Sequence, residues 1–554
     1  MKKLLGILLA LMLLAGCATA EEAAAPALTK NLVILFTSDV HCGVDQGWGY
    51  AGLYAVKESL AKDNHVLLVD DGDAIQGEAI GTVTKGEAII DIMNTVGYDI
   101  AIPGNHEFDY GMDRFFEMTE KANFPYISCN FNKEGELVFD PWIIKEFDGV
   151  KIGFVGVTTP TTLRSSTPKY FMNDAGEFIY GFLQDETGEA VYSAVQKAVD
   201  DVRAAGASYV VVMAHLGDEA ECAPWTYSDV IANTNGINAL IDGHSHDSEQ
   251  VVMKNKDGED VIRSACGTKL AGIGALTLST DGSFSSELYT WGNKTDACTL
   301  LGLSNAGAEV VAAEKGKLSE KLQEVVAKSS VDLVIYDPTA KKDDGSSVRI
   351  VRNTETNLGD LCADAYRDQG GNTDIAFVNG GGIRVNLNQG DVTMNDILKV
   401  HPFGNALTVI EVTGQQVLDA LEWSVHSLPG EFGGFNQVSG ITFEVDTTIE
   451  TPCVADENQM FDHVDETKER RVRNVLVGGE PLDPEKTYTL ASIDYQLLNN
   501  GDGYTMYKGC KVLQESVKLD NQVLIDSITQ TLGGVVGEGY DNPYGQGRIV
   551  SVNQ

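Results

Sequence analysis

The stretch Gly104-Asn105-His106-Glu107-Phe108-Asp109 decides how the first half of this chain is read. It follows the apolar run Ile100-Ala101-Ile102-Pro103, which reads as a buried strand ending in a turn. An Asn and a His side by side past a buried strand offer a neutral oxygen and an imidazole nitrogen. Both donors suit a metal ion or a phosphate. Four other strand ends in the same half carry matching groups: Asp39-Val40-His41, Asp71-Gly72-Asp73, His215 and Gly243-His244-Ser245-His246.

Outward from these motifs the chain alternates short β runs with helical patterns. Strands are expected over 32–36, 66–69, 100–102, 151–157, 209–213 and 238–241, and helices over 53–61, 87–96 and 190–205. This rhythm argues for a layered α/β domain. Residues 159–189 carry less apolar periodicity and read as an insertion or mobile loop. The Ala-rich, charged stretch 306–328 reads as a connector helix, and a second half opens near Val331. Four segments are expected: 1–30 a leader and tether, 31–300 a first domain, 301–330 the connector and 331–554 a second domain.

Every polar candidate lies past the carboxyl end of a strand, where open α/β sheets place their ligands. Asp39 and His41 alternate on a segment read as extended, so both side chains leave one face. Five of the nine histidines fall in these motifs. Two cations held close together need mixed N/O ligands and one bridging carboxylate, and Asp73 is the candidate for the bridge. Cys42, beside His41, is expected to point the other way.

In order, D-x-H, G-D, G-N-H-E-F-D, the isolated His215 and G-H-S-H resemble the calcineurin-like metallophosphoesterases. With the second half, residues 31–550 resemble the 5′-nucleotidase family. The resemblance implies a four-layer αββα metallophosphoesterase domain, a connector helix and a C-terminal α+β substrate-binding domain. It implies one metal held by Asp39, His41, Asp73 and His246, and another by Asp73, Asn105, His215 and His244. Many members carry Gln or Asn where this chain has His246, a departure that bears on the affinity or identity of that ion. His106 and Asp109 would form a catalytic dyad, the carboxylate orienting an imidazole that faces the transferring phosphoryl group.

In the second half the same resemblance places Arg352 and Arg384 on the substrate, where arginine suits bidentate phosphate contacts. Asn379 and Asn405 would serve the base edge, Phe403 would stack on the base, and Asp502 would accept from ribose hydroxyls. The family holds the base between two rings. Counted back from Asp502, the second ring position is Gln496, with Tyr495 beside it. The activity implied is hydrolysis of nucleoside 5′-monophosphates by a water activated between two divalent ions, with Zn, Mn, Fe and Mg all fitting the donors. The alternatives are a 2′,3′-cyclic-nucleotide phosphodiesterase or UDP-sugar hydrolase, and a surface binding protein without turnover.

The formal charge of −41 over 554 residues repels nucleic acid polymers and anionic membranes, so an anionic substrate must be drawn locally by metals and arginines. Lys2-Lys3 precede the apolar run 4–14, which reads as a secretory signal too short to span a bilayer. Leu14-Ala15-Gly16-Cys17 resembles the bacterial lipobox, which implies an exported protein anchored to the membrane by lipid on Cys17, with 18–29 as a tether. The eight remaining cysteines form no C-x-x-C pair and leave the disulfide state open.

Overall fold

The computed structural model describes residues 27–552, apart from 167, 174, 176, 219–221, 294, 342–346, 457–459, 516 and 538. The lipobox and its Cys17 lie outside the described residues. In the first half, strands β1 (Leu32–Thr37), β2 (His65–Asp70) and β3 (Ile100–Ala101) run parallel. A second parallel set is β5 (Val150–Thr158), β6 (Tyr209–His215), β7 (Ala239–Asp242) and β9 (Asp260–Ala265). Antiparallel strands complete both sheets: β4 (Trp142–Phe147), β8 (Gln250–Lys254), β10 (Gly272–Leu278) and β11 (Phe284–Thr290). The orders are β11-β10-β1-β2-β3 and β8-β9-β7-β6-β5-β4.

The four layers follow from which side chains meet. Because side chains alternate across a strand, Leu32, Ile34 and Phe36 of β1 face the other sheet. There they meet Ile152, Phe154, Val211 and Met213. Val33 and Leu35 face outward onto helices α1 (Gly49–Leu60) and α2 (Glu87–Val96). On the far side, Val155, Val157, Val210 and Val212 pack on α3 (Glu189–Ala204) and α4 (Tyr227–Asn233). Strands buried on both faces read as unbroken apolar runs, which is why β1 and β6 stood out in the sequence.

Two expectations are corrected. The connector helix α5 is Ala306–Lys321 and ends seven residues before the expected position 328, because Val325–Ser329 forms a strand, β12, paired with Gly390–Thr393. α5 packs on α1 and α2, so the chain crosses to the second half over 322–324. The stretch 159–189 is in large part packed, with Thr159, Thr162, Ser166, Phe171 and Phe182 fully buried. Its apolar pattern is weak because hydroxyls fill the interior and bond locally: Thr162 Oγ1 donates to the Thr159 carbonyl at 2.6 Å and Ser165 Oγ to that of Thr161 at 3.0 Å. This strap also reaches the second half. Leu163, Met172 and Phe178 line a cavity of about 510 Å³ with Val409, Leu513 and Gln514, and the Tyr170 ring lies 6.0 Å from the buried Lys518 ammonium.

The second half is built on β13 (Ile375–Asn379), β14 (Leu407–Thr413), β15 (Asn436–Ser439), β16 (Thr487–Ile493) and β17 (Lys511–Gln514), in the order β15-β13-β16-β14-β17. Helices α6 (Asn357–Gln369) and α7 (Gly414–Ser424) belong to the two cores on either side of it. None of the eight cysteines after Cys17, all among the described residues, forms a disulfide, and Cys42 turns into the helix-facing core as expected. No helix among the described residues is long and apolar enough to cross a membrane.

Candidate metal centre

The carboxyl ends of both sheets converge on one site. Asp39 and His41 follow β1, Asp73 follows β2, Asn105 follows β3, His215 ends β6, and His244 and His246 follow β7. Two groups of donor atoms form there: Asp39 with His41 and His246, and Asp73 with His215 and His244. Asp73 Oδ2 faces both, 3.1 Å from His215 Nε2 and 3.8 Å from His41 Nε2. Its other oxygen, Oδ1, accepts the His106 backbone N–H at 2.8 Å. Asn105 Oδ1 stands 3.2 Å from His215 Nε2.

The segment through Asp39 and His41 is not extended, contrary to the sequence reading. Both residues have positive φ, 52° and 44°, as do Asp73, His244 and His246 at 60°, 81° and 55°. Backbone pairing still guides the turn, with Asp39 N–H on the Gly72 carbonyl and His41 N–H on that of Asp73, both at 2.9 Å. Left-handed backbone at non-glycine residues is strained and concentrates at functional sites. Here it lets alternate residues aim at one point. Gly104 is required by close approach, because a Cβ there would lie 2.3 Å from Asp73 Oδ1.

The donor set fits two cations. His41 Nδ1 lies 3.2 Å from the Gln76 carbonyl, and His215 Nδ1 lies 2.7 Å from that of Asp71. A ring that donates from Nδ1 presents an Nε2 lone pair, and both Nε2 atoms point into the site. His41 Nε2 faces His246 Nε2 at 3.1 Å, so the two rings bring a pair of nitrogens to one point. Burial holds His41 and His244 at a pKa of about 3, so both rings are neutral. The Asp39 carboxyl is buried too, which raises its pKa. Among the described residues its recorded ion pairs, and those of Asp73, are with histidines, so a divalent ion is the charge that completes the site.

His106 Nδ1 stands 2.6 Å from Asp109 Oδ2, and its ring meets that of His41 edge-on at 5.2 Å between centroids. Burial disfavours its charged form, but Asp109 and Asp73 outweigh burial and push its pKa up to about 9.

Two supporting residues escaped the sequence reading. Glu107, fully buried, accepts the backbone N–H of Asp73 and of Gly104 at 2.7 Å and that of Ala74 at 2.8 Å, tying two ligand loops together. It sits inside the quoted motif, and its acidity beside a buried Phe was a usable signal. Arg263, buried on β9, binds Asp242 at 2.9 Å and Asp247 at 2.8 Å, clamping both ends of the loop that carries His244 and His246. Nothing in its sequence neighbourhood marks it, since the partners meet only through the β7–β9 pairing.

In the second half, Asn379 Nδ2 donates to Asp502 Oδ2 at 2.9 Å, and the Arg384 guanidinium lies 5.3 Å from the centre of the Phe403 ring. Burial lowers the pKa of Arg352, and the charges of Arg349 and Arg384 act in the same direction. Asn405 Nδ2 donates to Asp520 Oδ2 at 3.4 Å. Gln496, the position counted for the second ring, is buried. It is 1% exposed and accepts the Ser492 hydroxyl at 3.1 Å. The neighbouring Tyr495 is 40% exposed, with its hydroxyl 3.4 Å from Asp502 Oδ1.

Residues 32–248 match the calcineurin-like phosphoesterase family, and residues 325–509 match the 5′-nucleotidase C-terminal domain family. The chain is 28% identical to a 5′-nucleotidase of Vibrio cholerae, over 89% of each chain. It is 26% identical to the protein UshA of Escherichia coli, over 86% of each. The fold superposes on the Haemophilus influenzae NAD nucleotidase with a TM-score of 0.69 at 19% identity, covering 94% of this chain and 99% of that one. The chain belongs to the 5′-nucleotidase family, with a calcineurin-like phosphoesterase domain followed by a 5′-nucleotidase C-terminal domain.

Proposed function

We propose that the protein hydrolyses nucleoside 5′-monophosphates to nucleoside and phosphate, outside the cytoplasm, with two divalent ions. The observation that carries this reading is the single Asp73 oxygen facing both donor groups, with the His106–Asp109 pair alongside. Asp39, His41 and His246 would hold one ion, Asn105, His215 and His244 the other, and Asp73 both. Two such cations neutralise phosphoryl oxygens and lower the pKa of a water at the site. Asp109 orients the His106 ring, and that ring donates to the charge developing on the phosphoryl group. Metal content measured together with turnover on a panel of nucleoside monophosphates, 2′,3′-cyclic nucleotides and UDP-sugars tests the reading. Monophosphates turned over fastest by a two-metal protein support it. Two bound metals without turnover of any of them would sink it.

Arg352 and Arg384 would bind the phosphate, Asn379 and Asp502 the sugar and base edge, and Phe403 the base. Phe403 is 58% exposed, and with Arg384 against it the ring is available as a platform. Phe403→Ala is expected to weaken nucleotide binding by about 1–3 kcal/mol, roughly ten- to a hundredfold. Turnover of a small phosphate ester without a base should hardly move. Tyr495→Ala should act in the same direction, whereas Gln496→Phe should lower thermal stability by crowding a filled interior. Unchanged nucleotide kinetics in both alanine variants would show that these rings do not meet a base.

The anchor rests on sequence alone. One lipidated cysteine carrying several acyl chains suffices for stable attachment. Cys17→Ser is expected to move the protein from the membrane fraction to the soluble one. A Cys17→Ser protein still on membranes after a high-salt wash argues for another mode of attachment.

A further inference from the structure

The strap that crosses 159–182 touches the candidate centre at two adjacent residues. The Ser165 carbonyl accepts from Asn105 Nδ2 at 3.1 Å. That contact fixes which end of the amide faces the donors and leaves Asn105 Oδ1 beside His215 Nε2. The next hydroxyl, Ser166 Oγ, donates to Asp109 Oδ1 at 2.8 Å, while Asp109 Oδ2 holds His106 Nδ1. Ser166 is fully buried and Asp109 nearly so, which removes water as a substitute partner. The strap itself is pinned to a ligand strand, since the Thr159 N–H donates to the His215 carbonyl at 2.8 Å, and the Ser166 N–H closes its turn on the Thr162 carbonyl at 3.1 Å.

We propose that Ser166 is a positioning residue for the reaction: its hydroxyl fixes the rotation of the Asp109 carboxylate and thereby the aim of the His106 ring. A carboxylate held at one oxygen only turns about its Cβ–Cγ bond, a soft torsion between sp³ and sp² atoms. Held at both, by Ser166 and by His106, it has one orientation. Ser166 touches no substrate. The strap's outer side rests on the second half through Leu163, Met172 and Tyr170, so the same segment links the docking of that half to the aim of the ring.

The proposal rests on the reading of His106 and Asp109 as a dyad, and the test separates the two. Ser166→Ala, Ser166→Cys and Asp109→Ala are made singly, and the serine changes are repeated on the Asp109→Ala background. Each is measured for kcat and KM on a nucleoside monophosphate, and for bound metal. Ser166→Ala should lower kcat roughly tenfold with KM and both metals retained. Ser166→Cys, of similar shape but a weaker donor, should fall between. On the Asp109→Ala background the serine changes should matter by less than about twofold, because nothing remains to be aimed. An equal loss in both backgrounds, a loss confined to KM or to metal, or an unchanged kcat overturns the role of Ser166. If the alanine variant does not fold, a cysteine variant at full kcat overturns it as well. Asp109→Ala at full kcat would instead remove the dyad reading, and this proposal with it.

Discussion

Asp73→Asn is expected to strip most of the bound metal and to cut hydrolysis by on the order of 10³-fold or more, since one donor to transition-state charge is alone worth about 10²–10³. The expectation follows from one atom. Asp73 Oδ2 is the oxygen that both donor groups face, while Oδ1 is occupied by the His106 N–H. An asparagine keeps the shape and can keep the bond to His106 through its own oxygen. It then presents an NH₂ group, a donor with no lone pair, where both cations require an acceptor. The change also removes a full negative charge from a buried site, leaving there the carboxylate of Asp39, whose Oδ1 lies 3.5 Å from His246 Nε2 and 4.0 Å from His215 Nε2. Elemental analysis of the purified variant beside its turnover checks this. Two metals and near-normal turnover would mean that Asp73 is not the bridge.

The His106→Ala variant should separate chemistry from metal binding. His106 belongs to neither donor group, and its Nδ1 is taken by Asp109. Both metals should therefore remain, and kcat should fall by about 10²–10⁴, the range for losing a proton donor or charge stabiliser. KM for nucleotides should change little, because the proposed base and sugar contacts lie on the other half. If metal content drops with the rate, His106 is itself a ligand, and Asn105 loses that role.

The metal-centre candidates were readable because each sits past an unbroken apolar run. A strand covered on both faces by its own fold leaves that signature whatever lies around it, and β1, β2, β6 and β7 all carry it. What the pattern could not supply was backbone handedness. Alternation is the simplest way to bring two residues to one face and predicts an extended segment at Asp39 and His41, yet left-handed turns achieve the same convergence. Packing of the strap sets aside only the mobile-loop reading of 159–189, for a related reason. Part of its interior, over 159–166, is threonine and serine bonded to their own turns, which to a hydropathy pattern looks like surface. Gln496 failed on rotation. Asp494–Leu497 is one helical turn, so neighbouring side chains diverge by about 100°, and the ring that reaches solvent is that of Tyr495. Arg263 could not be found at all, because its meaning lies in a strand pairing rather than in its neighbours along the chain.

The left-handed turns at Asp39, His41, Asp73, His244 and His246 set two pressures on the sequence against each other. On backbone strain alone, glycine is the better residue at every one, since each side chain held there costs about 1 kcal/mol or more. Backbone strain by itself would therefore favour glycine at these five positions, and each such step would erase a candidate ligand. A scaffold that had kept its shape but abandoned metal chemistry would be free to take those steps and would gain folding free energy by them. This chain has glycine at none of the five, which sets it apart from a surface protein that merely kept the fold.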